Sequence, residues 1–203
     1  MKKLFGILGV LVAVFVLTAI LEPNFLTAYN LQNTLRWTGL FGIISIGAAF
    51  VIISGGIDLS TGSVIALVGV LVPMLLVDVG MSLVVVLLIL FGILLAMGIF
   101  HGVLVTKLYL QPFVVTLCGL LIYRGLARWL AGDQTQGFGS AFDGLRQLAI
   151  GRIPIAGDFG LPIPFVILIV LALLSAGFLH STVWGRGIHF WCGDRGSSVA
   201  TPL

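Results

Sequence analysis

Asp58 is the only acidic residue between Glu22 and Asp78, and it sits in the string Ser54-Gly55-Gly56-Ile57-Asp58-Leu59-Ser60-Thr61-Gly62-Ser63 between two apolar stretches. An ionisable group in such surroundings is costly and is read first as functional. Three roles are open to it. With Ser60 it could cap the following helix, accepting from backbone amides at the positive end. It could line a polar path across a membrane, or lie in a short hairpin that touches a partner subunit. Gly55 and Gly56 permit positive φ angles and close approach of neighbouring helices at this point.

Other reactive side chains offer less. Ser63 and His101 suggest a serine–histidine pair of a membrane-embedded hydrolase, a reading that requires the two within hydrogen-bond reach. Cys118 and Cys192 are too few and too far apart for a disulfide framework or metal site, so no metal is expected. Cys118, in an apolar run, is expected to act as a small buried hydrophobe. No G-x-x-x-x-G-K-[ST] loop occurs, so ATP binding by this chain is not expected.

The elements that carry these residues are set by composition. Of 203 residues, 60% are hydrophobic and 8% charged, against roughly a quarter charged in soluble domains. Mean hydropathy is +1.24. With 27 glycines, frequent in membrane helices, this describes an all-α polytopic transmembrane bundle and excludes a soluble enzyme. The net charge of +3, from scattered basic residues, excludes nucleic acid as a partner.

About six spans of roughly 20 residues are expected. They are 4–21, kept as a helix rather than cleaved as a signal peptide, then 37–53, 64–77, 81–105, one opening at 113–121, and 161–179. A broken-helix region at 54–63 separates the second and third. Pro73 predicts a kink, and Gly98 and Gly102 form a small-xxx-small pair for close helix approach. Basic residues favour the cytoplasm, which places Lys2, Lys3, Lys107 and Arg186 inside and the polar loop at about 131–160 outside. Arg124 and Arg128 fall on the outer side against that rule, as long side chains near helix ends can.

Several blocks together resemble the permease subunits of bacterial ribose/xylose-type sugar ABC importers: Phe25-Leu26-Thr27, Asn30-Leu31-Gln32-Asn33, Phe50 to Ser63, Gln111-Pro112-Phe113-Val114-Val115-Thr116-Leu117, and Tyr123-Arg124-Gly125-Leu126-Ala127. The resemblance implies a multi-pass protein of the bacterial inner membrane that forms half of a monosaccharide pathway. It also implies as partners a second permease copy, a cytoplasmic ABC ATPase that hydrolyses the ATP, and a periplasmic or lipid-anchored sugar-binding protein. No covalent chemistry and no cofactor in this chain are implied. The motif residues it marks for the path are Asn33, Gly55, Gly56, Asp58, Ser60, Gly62, Ser63, Gln111 and Pro112. A sugar path needs amides and hydroxyls, which adds Asn30, Gln32, Ser45 and Ser54; for each of these, interhelical hydrogen bonding is the plainer role.

On this resemblance residues 1–186 are the N-terminal part of an importer transmembrane domain, and Gly185-Arg186 begin an ATPase-docking segment. Residues 187–203 depart from the family pattern and read as a disordered or frame-shifted tail. Arg195-Gly196-Ser197-Ser198, read one nucleotide later with suitable codons, becomes the Glu-Glu-Ala-Ala of the family, so an apparently truncated chain is expected. The readings from other classes are a secondary transporter or channel, for which Asp58 beside a broken helix would be typical, and a non-functional permease fragment.

Overall fold

The computed structural model describes residues 2–139, 142–156 and 159–181. Its helices are α1 (Lys2–Leu21), α2 (Ala28–Ile53), α3 (Thr61–Pro73), α4 (Leu83–Thr106), α5 (Pro112–Ala131), α6 (Asp143–Ile150) and α7 (Ile163–Ser181). A π-helical turn, Met74–Asp78, continues α3, and strands β1 (Arg152–Ala156) and β2 (Phe159–Pro162) lie between α6 and α7. Among the described residues, five helical segments are long and apolar enough to cross a membrane: Ala28–Ile53, Thr61–Asp78, Leu83–Thr106, Pro112–Ala131 and Ile163–Ser181. Helix α1 holds a shorter apolar stretch, Gly6–Leu21. Gly185, Arg186 and the tail from 187 lie outside the described residues.

The outer faces of these helices are apolar. Val84 and Leu88 on α4 are 67% and 66% exposed and Leu173 on α7 is 69% exposed, a surface suited to lipid or another apolar helix rather than water. The chain is an all-α membrane protein.

Contacts divide it into two units, Met1–Ile46 with Asp143–Ala176, and Gly47–Phe142 with the residues from Gly177 onward. In the first, Gly39 of α2 meets the start of α7: a Cβ placed there would stand 2.6 Å from the backbone nitrogen of Phe165 and from the carbonyl carbon of Pro164. Only glycine fits so close a backbone approach. In place of the expected open loop at 131–160, this unit also holds α6 and a two-stranded antiparallel hairpin that pairs Ile153 with Leu161 and Pro154 with Gly160. Proline argues against a central strand, but both strands of a lone hairpin are edges, where it is tolerated.

The second unit is built on α3, α4 and α5. Leu67, Tyr123 and Ala127 form its buried centre, with Val64, Val70, Leu71, Met97 and Leu130 against them. Helices α3 and α5 run the same way, since Ile57 meets Thr116 at one end while Leu67 packs with Tyr123 and Ala127 further on. Pro73 lacks an N–H, so the turn before it loses a hydrogen bond. The helix then widens, with the Val79 amide reaching back five residues to the Met74 carbonyl at 3.1 Å. The expected irregularity at Pro73 is therefore a π-helical turn.

Two sequence expectations change here. Cys118 is exposed rather than buried, because it lies on the flank of α5 away from α3. A Cβ added at Gly98 or Gly102 would meet nothing within 4 Å, whereas at Gly119 it would stand 2.8 Å from His101 Nε2. Between α4 and α5 the crowded glycine is Gly119.

Gly39→Ala should destabilise the protein by about 1–3 kcal/mol, the usual cost of overpacking, while Gly47→Ala, which meets open space, should not. Denaturant unfolding in detergent micelles compares the two.

Candidate functional site

Helix α2 must stop before Asp58 can be placed, and Gly55 stops it. The Gly56 amide donates to the Val51 carbonyl at 3.0 Å and the Gly55 amide to the Ile52 carbonyl at 2.9 Å, with Gly55 left-handed at φ 78°. This is a Schellman ending, in which a glycine satisfies carbonyls left without helical partners. Ser54 turns its hydroxyl back onto the Val51 carbonyl at 2.8 Å.

Asp58 then organises the start of α3. Its Oδ1 accepts from the Ser60 amide at 2.7 Å and from the Ser60 hydroxyl at 2.7 Å, and its Oδ2 accepts from the Thr61 hydroxyl at 3.3 Å. A carboxylate with three donors at the positive end of a helix is stabilised by both effects. Ser60 is buried and donates to Asp58 instead of capping; its own side chain makes no cap bond to α3. Its carbonyl takes the Ser63 amide at 2.9 Å and the Val64 amide at 3.0 Å, as well as the Ser63 hydroxyl at 2.7 Å.

A residue from another helix locks this segment. The hydroxyl of Thr116 lies 3.2 Å from the Ile57 carbonyl, 59 residues away. Its single proton is shared with the Pro112 and Phe113 carbonyls of its own helix, at 2.9 and 3.3 Å, of which Pro112 is the nearest acceptor. Pro112 begins α5 with no amide to satisfy, as suits a first helical residue, and the Gln111 carbonyl accepts from the Val114 and Val115 amides at 3.1 and 3.2 Å. The Gln111-to-Thr116 stretch and the Gly55-to-Ser63 stretch are thus brought together, with Thr116 as the link.

The remaining sequence candidates scatter. Asn30 donates to the Phe25 carbonyl at 2.8 Å and Ser45 to the Phe41 carbonyl at 2.8 Å, so both bond locally rather than between helices. Gln32 is buried at 2% exposure in the first unit, and Asn33 is half-buried on the same helix. His101 pairs with the Tyr123 hydroxyl at 2.9 Å while Ser63 is bonded to Ser60, so neither engages the other as nucleophile and base. Sequence reasoning did not single out Thr116 as a contact, nor the His101–Tyr123 pair. A hydroxyl in the apolar first half of α5 is the one signal in the sequence that could have found Thr116.

The segment is thus a helix break with a glycine ending on one side and an Asp58-centred start on the other. Comparison with known proteins decides the family. The profile described as "Branched-chain amino acid transport system / permease component" matches residues 30–198. The chain belongs to this family. It is similar to the ribose import permease protein RbsC of Bacillus subtilis (strain 168), 34% identical over 204 aligned positions that cover 100% of this chain and 61% of the relative. It is also similar to the inner membrane ABC transporter permease protein YjfF of Escherichia coli (strain K12), 31% identical over 87% of this chain and 52% of the relative. The D-allose transport system permease protein AlsC of the same organism is 30% identical over 98% of this chain and 58% of the relative. The chain therefore spans about three-fifths or less of the length of these relatives. No solved structure matches it. The family is one of permeases rather than enzymes.

Asp58→Ala should cost about 0.5–2 kcal/mol, as loss of a cap does, and Asp58→Asn should retain most of it because the amide oxygen still accepts. Thr116→Val should cost about 1 kcal/mol. Denaturant titrations of the three variants in micelles give the order.

Proposed function

We propose that this chain is the permease component of an ATP-binding-cassette importer for a monosaccharide in the bacterial inner membrane. It contributes half of the translocation pathway beside a second permease copy. A cytoplasmic ATPase supplies the energy and a sugar-binding protein outside delivers the solute. The observation that carries the reading is the contact between Thr116 and the Ile57 carbonyl. It joins the two blocks whose residues resemble sugar permeases, in a chain 30–34% identical to relatives named for ribose and allose.

Sugar is favoured over the amino acids in the family's description. The blocks that carry the resemblance are those of sugar permeases, and relatives at 30–34% identity are named for ribose and allose. Asp58, Ser60, Gly62 and Ser63 shape the path on this reading, and Gly185 and Arg186 begin the surface that meets the ATPase. Switching between outward and inward openings requires only that the partners bind the two states with different affinity.

In proteoliposomes containing this chain, an ATPase and a binding protein, uptake of labelled D-ribose or D-allose should require all three components and ATP. Uptake that persists without the ATPase would instead make the chain a secondary transporter or channel, and its absence with every component present would make it an inactive permease.

A further inference from the structure

Alongside the start of α3 lies an open cavity of about 540 Å³, within the range of about 300–1,000 Å³ found for small-molecule sites. It lies wholly in the second unit. Its polar lining is Ser63 from α3, Arg124 and Arg128 from α5, and Asp133, Gln134 and Thr135 from the turn that ends α5. That turn is well defined: Gly132 and Asp133 are left-handed, at φ 56° and 57°. The Gly132 amide bonds the Trp129 carbonyl at 3.2 Å and the Asp133 amide the Arg128 carbonyl at 3.1 Å. The second Schellman ending therefore aims a run of polar side chains along one wall.

The donor and acceptor types are complementary to a polyol. Arg124 can only donate, Asp133 can only accept, and Gln134 and Thr135 can do both. Ser63 has given its proton to the Ser60 carbonyl, which leaves its oxygen to accept. Arg128 and Asp133 are paired at 2.6 Å but are 69% and 64% exposed, and so exposed a pair is readily exchanged for other partners. Vicinal hydroxyls supply a donor and an acceptor at neighbouring atoms and match such a set. A phosphate dianion would leave Asp133 facing a second anion. These arginines also lie on the outer side in the orientation that the basic residues favour, where the rule for topology gives them no reason to be.

We infer that this cavity is a contact site for a neutral, vicinally hydroxylated solute, with Arg124 and Gln134 as its specificity-determining residues; the inference rests on the permease reading above. It assigns sugar contact to the α3–α5 wall, which Asn30, Ser45 and Ser54 do not line.

The assembled permease, with Cys118 and Cys192 replaced by serine and Ala66→Cys introduced in the apolar part of the lining, tests it by the rate of maleimide labelling. Millimolar D-ribose or D-allose should slow labelling at least threefold, and adding Arg124→Gln should raise the sugar concentration needed about tenfold, a change of about 1.4 kcal/mol. Arg124→Lys, which keeps a donor, should recover part of that loss. Equal labelling with and without every sugar overturns the inference, as does protection by ribose 5-phosphate but not by ribose. ATP-driven uptake by the assembly without these replacements, measured alongside, separates this failure from failure of the permease reading. Uptake with no protection sinks the site alone, and no uptake sinks both.

Discussion

Hydrocarbon offers no hydrogen bonds, so a chain that breaks a helix near a membrane must satisfy its own backbone groups. That requirement governs the segment from Ser54 to Ser63. Gly55 closes α2 by turning left-handed, and Asp58 opens α3 by accepting from residues 60 and 61. Between them one carbonyl, that of Ile57, faces another helix and is met by Thr116. Remove any one of the three devices and a polar group loses its partner, at about 1–3 kcal/mol when it is buried. The interruption is thus a built element, held at both ends and touched from α5.

Its place along the spans follows from length. Helix α2 has 26 residues, about 39 Å at 1.5 Å per residue, and the 18 residues of Thr61–Asp78 make about 27 Å by the same measure. Each is close to or longer than a hydrocarbon core of about 30 Å. The break therefore falls towards the ends of two spanning segments rather than halfway through one.

Much of this architecture was legible in the chain because apolar runs admit few alternatives in lipid: the spans from 37, 64 and 113 fall within helices, and those from 81 and 161 begin two residues before α4 and α7. The break at Ser54 was legible through its glycines. What escaped was anything decided by a neighbour. The hairpin was hidden by Pro154 and Pro162, which speak against strands unless one knows that both strands are edges. Gly98 and Gly102 have the spacing of a packing motif, yet among the described glycines within helices the crowded ones are Gly39, Gly42 and Gly119, since spacing says which residues share a face but not whether a helix lies against it. Ser45 and Ser54 looked like path residues because a hydroxyl in a span needs a partner, and each finds one in the turn before it.

Gly119 shows how α4 is tied into the same arrangement. A side chain there would collide with His101, and the space left empty lets the imidazole stack on Tyr123, with centroids 5.6 Å apart, while Nε2 meets the phenol oxygen at 2.9 Å. Tyr123 belongs to the buried centre with Leu67, so its ring touches α3 on one side and its hydroxyl holds α4 on the other. Thr116 lies about two turns earlier on α5 and holds the interruption. One face of α5 therefore carries both attachments, and the Arg124-to-Thr135 wall continues from it. Within the second unit, α5 is thus the element that touches both the interruption and α4 and lines the polar cavity.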